Sequence, residues 1–182
     1  MKLNLSKINF GVMISMGIVF FLFTSCEKIK KATAIDVKYD LPDSYFTLDS
    51  VSLLKAEKLL YSETFTANID SILSANGGSL QNVSFYQVRL SVVSPTWVTF
   101  NWLTSARATI TPQGGSPIEI ATTTNVNSIA RSVDFDIKNL NVASSVNGPF
   151  VLNIYGDLSG PIPVNSVQML LESGIKISVS PL

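Results

Sequence analysis

The sequence predicts an all-β domain: a single β-sandwich, Ig-like or jelly-roll-like, of about eight strands with one short helix. Three observations carry that reading. Apolar and polar residues alternate with period two along most of the chain. Turn signals recur roughly every 8–12 residues. Only one stretch shows a one-sided helical stripe followed by a stop. A small closed barrel is the alternative architecture.

The elements follow in order. In Thr33–Asp40, Ile35, Val37 and Tyr39 alternate with Asp36, Lys38 and Asp40, which predicts a half-buried first strand. Pro42-Asp43 then turns the chain. Over 58–69, Leu59, Tyr61 and Phe65 share a strand face interrupted by Glu63. A helix follows, capped by Asn68 or Asp70, striped by Ile69, Ile72 and Leu73 and stopped by Asn76-Gly77-Gly78. It is short and needs a sheet to rest on. The run 82–93 alternates cleanly, and Tyr86, Val88, Leu90 and Val92 form the better core face, against Val83, Phe85, Gln87 and Arg89 or Val93. Residues 105–124 read as two strands joined at Pro112-Gln113-Gly114-Gly115. In 132–140, Val133, Phe135 and Ile137 face inward while Asp134, Asp136 and Lys138 face out. Strands in 148–158 and 174–182 complete the set, the last with Ile175, Ile177 and Val179 inward.

The front end sets an address. Phe10 to Phe23 is a run of 14 uncharged residues behind Lys2 and Lys7, the layout of a signal sequence. As a helix it spans about 21 Å, short of the roughly 30 Å hydrocarbon core. At its end Thr24, Ser25 and Cys26 resemble a bacterial lipobox, with Phe23 where an aliphatic residue is usual. The resemblance implies cleavage before Cys26 and a thioether-linked lipid on that sulfur, which is the chain's only thiol. The chain then divides into a signal peptide (1–25), a lipidated tether (26–33) and a β-sandwich domain (34–182), and cleavage of 25 residues from 182 leaves 157. Several acyl chains anchor stably. The seven residues from Glu27 to Thr33 reach about 25 Å at full extension, so the domain stays close to the lipid surface.

Composition excludes whole classes of chemistry. Without histidine, and with its one thiol committed to lipid, the chain cannot build Ser-His-Asp or Cys-His nucleophiles, nor a zinc site with imidazole or thiolate ligands. No P-loop, GxGxxG or EF-hand loop is present. Neither a cofactor nor a metal is expected, and the reading is not an enzyme. The mature chain keeps 11 basic against 13 acidic side chains, a balance that gives no support to nucleic-acid binding. Lys28, Lys30 and Lys31 suit contact with anionic head groups.

The Thr24-Ser25-Cys26 junction, the helix at Ile69–Ala75 between strands and the closing Ile175–Val179 strand together resemble the small exported lipoproteins of Bacteroidota-type bacteria. That resemblance implies a single Ig-like or jelly-roll-like sandwich and an outer-membrane lipid anchor. Surface-exported members of that group carry acidic residues soon after the cysteine. Here the run Glu27-Lys28-Ile29-Lys30-Lys31 favours the periplasmic side, with the cell surface as the alternative. The resemblance also brings a short Asp-Ser-apolar signal for O-glycosylation, found at Ser50 and Ser71.

Function on this reading is binding or assembly at the envelope, without catalysis. One alternative is a carbohydrate-binding accessory lipoprotein. Within 96–102, Val98, Phe100 and Trp102 share one side and Trp97 the other, so Trp97 with Tyr86 or Tyr155 would form a glycan patch. Large aromatics more often cover the end of a core. A second alternative is a fimbria-like subunit that pairs an edge strand with an envelope protein partner, the candidate edges being Thr33–Asp40 and Gly174–Ser180. Asp134 and Asp136 on one strand face, with Asp157 at another strand end, read as solvated surface.

Overall fold

The computed structural model describes residues 34–49 and 57–181. Among them ten strands and two helices follow one another: β1 (Ile35–Asp40), β2 (Ser44–Asp49), β3 (Glu57–Thr66), α1 (Ile69–Asn76), β4 (Gly78–Ser94), β5 (Leu103–Pro112), β6 (Ile118–Thr123), β7 (Ser132–Asp134), β8 (Asp136–Ile137), α2 (Ala143–Val146), β9 (Pro149–Leu158) and β10 (Ser166–Pro181). No described helix is long and apolar enough to cross a membrane.

The strands form two antiparallel sheets. The first has the order β1-β10-β4-β7, with β2 also paired to β10; the second has the order β3-β9-β5-β6-β8. β1 lies against Gly174–Val179 and β2 against Ser166–Leu171. Both run antiparallel to β10, so together they make one interrupted edge strand. Counted so, with β8 as an extension of the second sheet, the two sheets have the strand order of a jelly roll.

Side chains from the two inner faces fill the space between the sheets. Phe100, Trp102, Phe150, Leu152, Ile154, Met169 and Ile175 are among those fully buried, and the rings of Phe65 and Phe150 stack at 6.2 Å. α1 closes one end. Asn68 caps it by accepting the Ser71 N–H, and Gly77 ends it at φ 60°, a left-handed conformation that glycine adopts without a Cβ penalty.

Several sequence expectations are corrected. Pro42-Asp43 does not reverse the chain: the Leu41 N–H donates to the Ser173 carbonyl at 2.9 Å, and the strand resumes in the same direction as β2. Ile35 on β1 is 53% exposed, because it lies at the end of an edge strand. In β3, Leu59 faces Tyr155 while Tyr61 faces Ile154. Leu60 is therefore an extra residue in a bulge, which buries Leu60 and Tyr61 and leaves Leu59 exposed. A second bulge sits at Tyr86, since Gln87 faces Gly174 while Phe85 faces Ile175. One inserted residue flips the period-two pattern. Val83 and Phe85 thus point inward before it and Val88, Leu90 and Val92 after it, and Tyr86 is only half-buried.

Two further expectations fail for topological reasons. The last strand is not an edge, because β10 is flanked by β1 and β2 on one side and β4 on the other. Asp134 and Asp136 do not share a strand face, because the chain crosses from β7 in one sheet to β8 in the other between them. Short strands such as β2, β7 and β8 account for the excess over the expected count.

Candidate functional site

The registers fix which loops lie together. β4 begins opposite the end of β10 and finishes opposite Gln168; β5 begins opposite Leu158; β6 ends opposite Ala106. Loops 95–102, 124–131 and 159–165 are therefore at one end of the sandwich. Ile35, the first residue of β1, pairs with Val179 at the other end. From Leu80 to Ser94 along β4 is about 45 Å at the rise of a strand.

Loop 95–102 is at the centre of this tip. Val98, Phe100 and Trp102 are at most 1% exposed, so alternate residues plug the end of the core. The Phe100 and Trp102 rings lie 5.6 Å apart. Trp97, immediately before the first of these inward residues, is 65% exposed. Hydrogen bonds fasten the neighbouring loops to this frame. The Phe100 N–H donates to the Ala130 carbonyl at 3.0 Å, and the Ser159 N–H donates to the Trp102 carbonyl at 2.9 Å. The Ser159 hydroxyl donates to the Asn101 carbonyl at 3.1 Å. Within 124–131, Asn127 accepts from the Ile129 N–H through its side chain and from the Ala130 N–H through its carbonyl, and this tight turn leaves Ile129 80% exposed.

The tip carries almost no charge. Across the three loops Arg131 is the one charged residue, and its guanidinium donates back to the carbonyls of Val92 and Val93 at 2.9 and 3.1 Å. Asn, Ser and Thr supply the polar groups, with Thr96, Asn101 and Asn127 exposed.

Tyr86 and Tyr155 lie elsewhere. Tyr86 is on the outer face of the first sheet, about 26 Å along β4 from Ser94. Its hydroxyl donates to Asp40, and the Lys38 ammonium is 4.7 Å from the ring centroid. The hydrogen bond to Asp40, with a smaller contribution from burial, pushes its phenol up to about 12. Asp40, Asp43, Tyr86, Gln87 and Glu172 line a cleft of about 310 Å³ there.

Tyr155 is on the outer face of the second sheet, with the Arg107 guanidinium 4.2 Å from its centroid. Arg107 in turn donates to both oxygens of Glu57 at 2.5 and 2.7 Å, which holds the Glu57 carboxyl below its ordinary range. The Ser105 hydroxyl donates to Asp157 at 2.6 Å beside them. The structure therefore does not gather Trp97, Tyr86 and Tyr155 into one patch.

Other candidates resolve as structural pairs. Asp134 accepts two bonds from Arg89 at 2.6 and 3.0 Å. Among the described residues no group of three or more His, Cys, Asp or Glu side chains could hold a metal ion. Ser71 is exposed in the first turn of α1. Cys26 and Ser50 lie outside the described residues. Ile129 is the tip residue that the sequence reading missed; its signal was a lone large aliphatic in the uncharged run 124–130.

The chain is thus an antiparallel β-sandwich whose tip displays an exposed tryptophan and holds a single charged residue, Arg131, bonded back to β4. No family model and no curated protein matches the chain. Among solved structures it is similar to Desmodium yellow mottle tymovirus (15% identity, TM-score 0.26, covering 82% of this chain and 89% of that one). It is also similar to turnip yellow mosaic virus at 100 K (15% identity, TM-score 0.26, covering 82% and 96%). At such TM-scores the likeness carries no functional inference, and the fold rests on the strand pairing itself.

Proposed function

We propose that this chain is a lipid-anchored envelope protein that acts by binding, without catalysis, and that the tip around Trp97 is its contact surface. The observation that carries the reading is the opposition of the two ends. β1 begins at Ile35 at one end, where a tether from Cys26 would join, and two large apolar side chains, Trp97 and Ile129, are held out at the far end on loops that hydrogen-bond to each other. Leaving large apolar groups in water is unfavourable, and rigid loops that do so suit a partner. The signal-like leader and Cys26 favour the outer membrane, and the lysines after the cysteine favour its periplasmic side.

Intact mass spectrometry of the membrane-fraction protein beside a Cys26→Ser version tests the anchor, with protease shaving of whole cells for its orientation. A lipid-sized increment that vanishes with serine, together with resistance to shaving, is expected. A mature mass without lipid would overturn the anchor.

A further inference from the structure

We infer that the tip binds an uncharged saccharide chain, with the Trp97 indole as the stacking platform. The inference rests on the binding role proposed above and names the chemistry of the ligand.

Four observations carry it. Trp97 is 65% exposed on a loop whose following residues Val98, Phe100 and Trp102 are anchored in the core, so a broad apolar plane is presented from a backbone with little freedom left to lose on binding. Its loop is bonded to both adjacent loops, which makes the surface continuous. The exposed polar groups of the three loops include the amides and hydroxyls of Thr96, Asn101 and Asn127, each able both to donate and to accept. Sugar hydroxyls demand that same duality, while the C–H face of a pyranose ring is apolar and matches an indole. Finally, the only charged residue in the three loops, Arg131, is turned back onto the end of β4.

The absence of charge separates this ligand from the alternatives. A polyanion would find no cation displayed for it. A stable protein interface needs about 800 Å² from each partner. With sheets about 10 Å apart and four strand positions about 4.8 Å apart, the end of this sandwich offers on the order of 200 Å² before loop side chains are added. That footprint suits two or three sugar rings in a row. Ile129 extends the apolar strip beside the indole.

The test uses the full lipoprotein in nanodiscs, since glycoside detergents would compete. It is titrated with soluble cello-, xylo-, manno-, laminari- and N-acetylchito-oligosaccharides while tryptophan emission and calorimetric heat are followed. Trp102 is buried and serves as a silent reference. The expected result is a saturable blue shift with one of these neutral series, insensitive to salt. The shift should vanish in Trp97→Ala, with affinity at least tenfold weaker, and should be partly kept as calorimetric affinity in Trp97→Tyr. Four results would overturn the inference: no response across the panel, a response unchanged by Trp97→Ala, salt-sensitive preference for polygalacturonate, or a Trp97 shift produced by protein-free phosphatidylcholine vesicles. A protein that carries lipid but binds no sugar defeats this inference alone, and one that binds sugar without carrying lipid defeats the anchor alone.

Discussion

The contact between Gly174 and Tyr86 allows a prediction with a sign change. Because Tyr86 is the extra residue of a bulge, its ring lies flat across β10 over Gly174. A Cβ at 174 would sit 2.5 Å from Cε1, 2.7 Å from Cζ and 2.8 Å from the hydroxyl of Tyr86, far inside the roughly 3.5–4.0 Å of carbon contact. Among the described glycines only Gly77 and Gly114 have positive φ, so alanine suits the backbone and the clash is with the ring alone. Gly174→Ala must therefore lift the ring by about 1 Å. That removes the hydrogen bond to Asp40, net about 1.5–3 kcal/mol for a charged partner in a buried setting and less at this exposed one. It also removes the Lys38 contact, about 0.5–1 kcal/mol. Against this, alanine restricts the unfolded chain and returns about 0.4–1 kcal/mol. The net expectation is a loss of about 1 kcal/mol in urea unfolding. In a Tyr86→Ala background the same change should cost nothing or stabilise, a coupling of about 1–2 kcal/mol. A phenolate absorbance titration should show the Tyr86 transition move from about 12 back toward the ordinary value near 10. An equal loss in both backgrounds would refute the reasoning.

Three further outcomes are expected. Gly78→Ala should cost about 2 kcal/mol, since its Cβ would lie 2.5 Å from the Ser180 backbone oxygen, which cannot swing aside; a shift in urea midpoint worth under about 0.5 kcal/mol would contradict this. Phe100→Ala should cost about 3–5 kcal/mol while Trp97→Ala stays within about 0.5 kcal/mol, a contrast that thermal melts of the two variants would expose. Acid should weaken the fold, because the carboxyls of Asp36, Glu57 and Asp134 are lowered mainly by bonds from Ser178, Arg107 and Arg89 respectively. With folded values below the unfolded 3.8 and 4.5, their contribution is complete above those values and is lost as pH falls through the lower folded ones. Each exposed pair contributes about 0.2–1 kcal/mol, so urea midpoints should hold to about pH 5 and decline below about pH 4, and a midpoint that stayed flat down to pH 3 would count against it.

Elements whose cause is local were legible in the order of residues. Alternation placed Val133 and Phe135 inward, the Pro112–Gly115 turn joined β5 to β6, and Asn68 and Gly77 bounded α1, because caps and tight turns need particular side chains at particular positions. It also separated the buried Val98, Phe100 and Trp102 from the exposed Trp97, since a chain sealing the end of a core alternates whether or not it pairs as a strand. What depended on partners far away in sequence was decided only by the tertiary structure. The bulges at Leu60 and Tyr86 exist because β9 and β10 have one residue fewer to offer opposite them, and each inverts the pattern beyond it. β10 became an interior strand because the first sheet closes around it from both sides. Tyr86, Tyr155 and Trp97 look interchangeable as exposed aromatics in sequence, yet sheet assignment gave each tyrosine a cation over its ring and left Trp97 in the uncharged tip, because strand order decides which charges meet which faces.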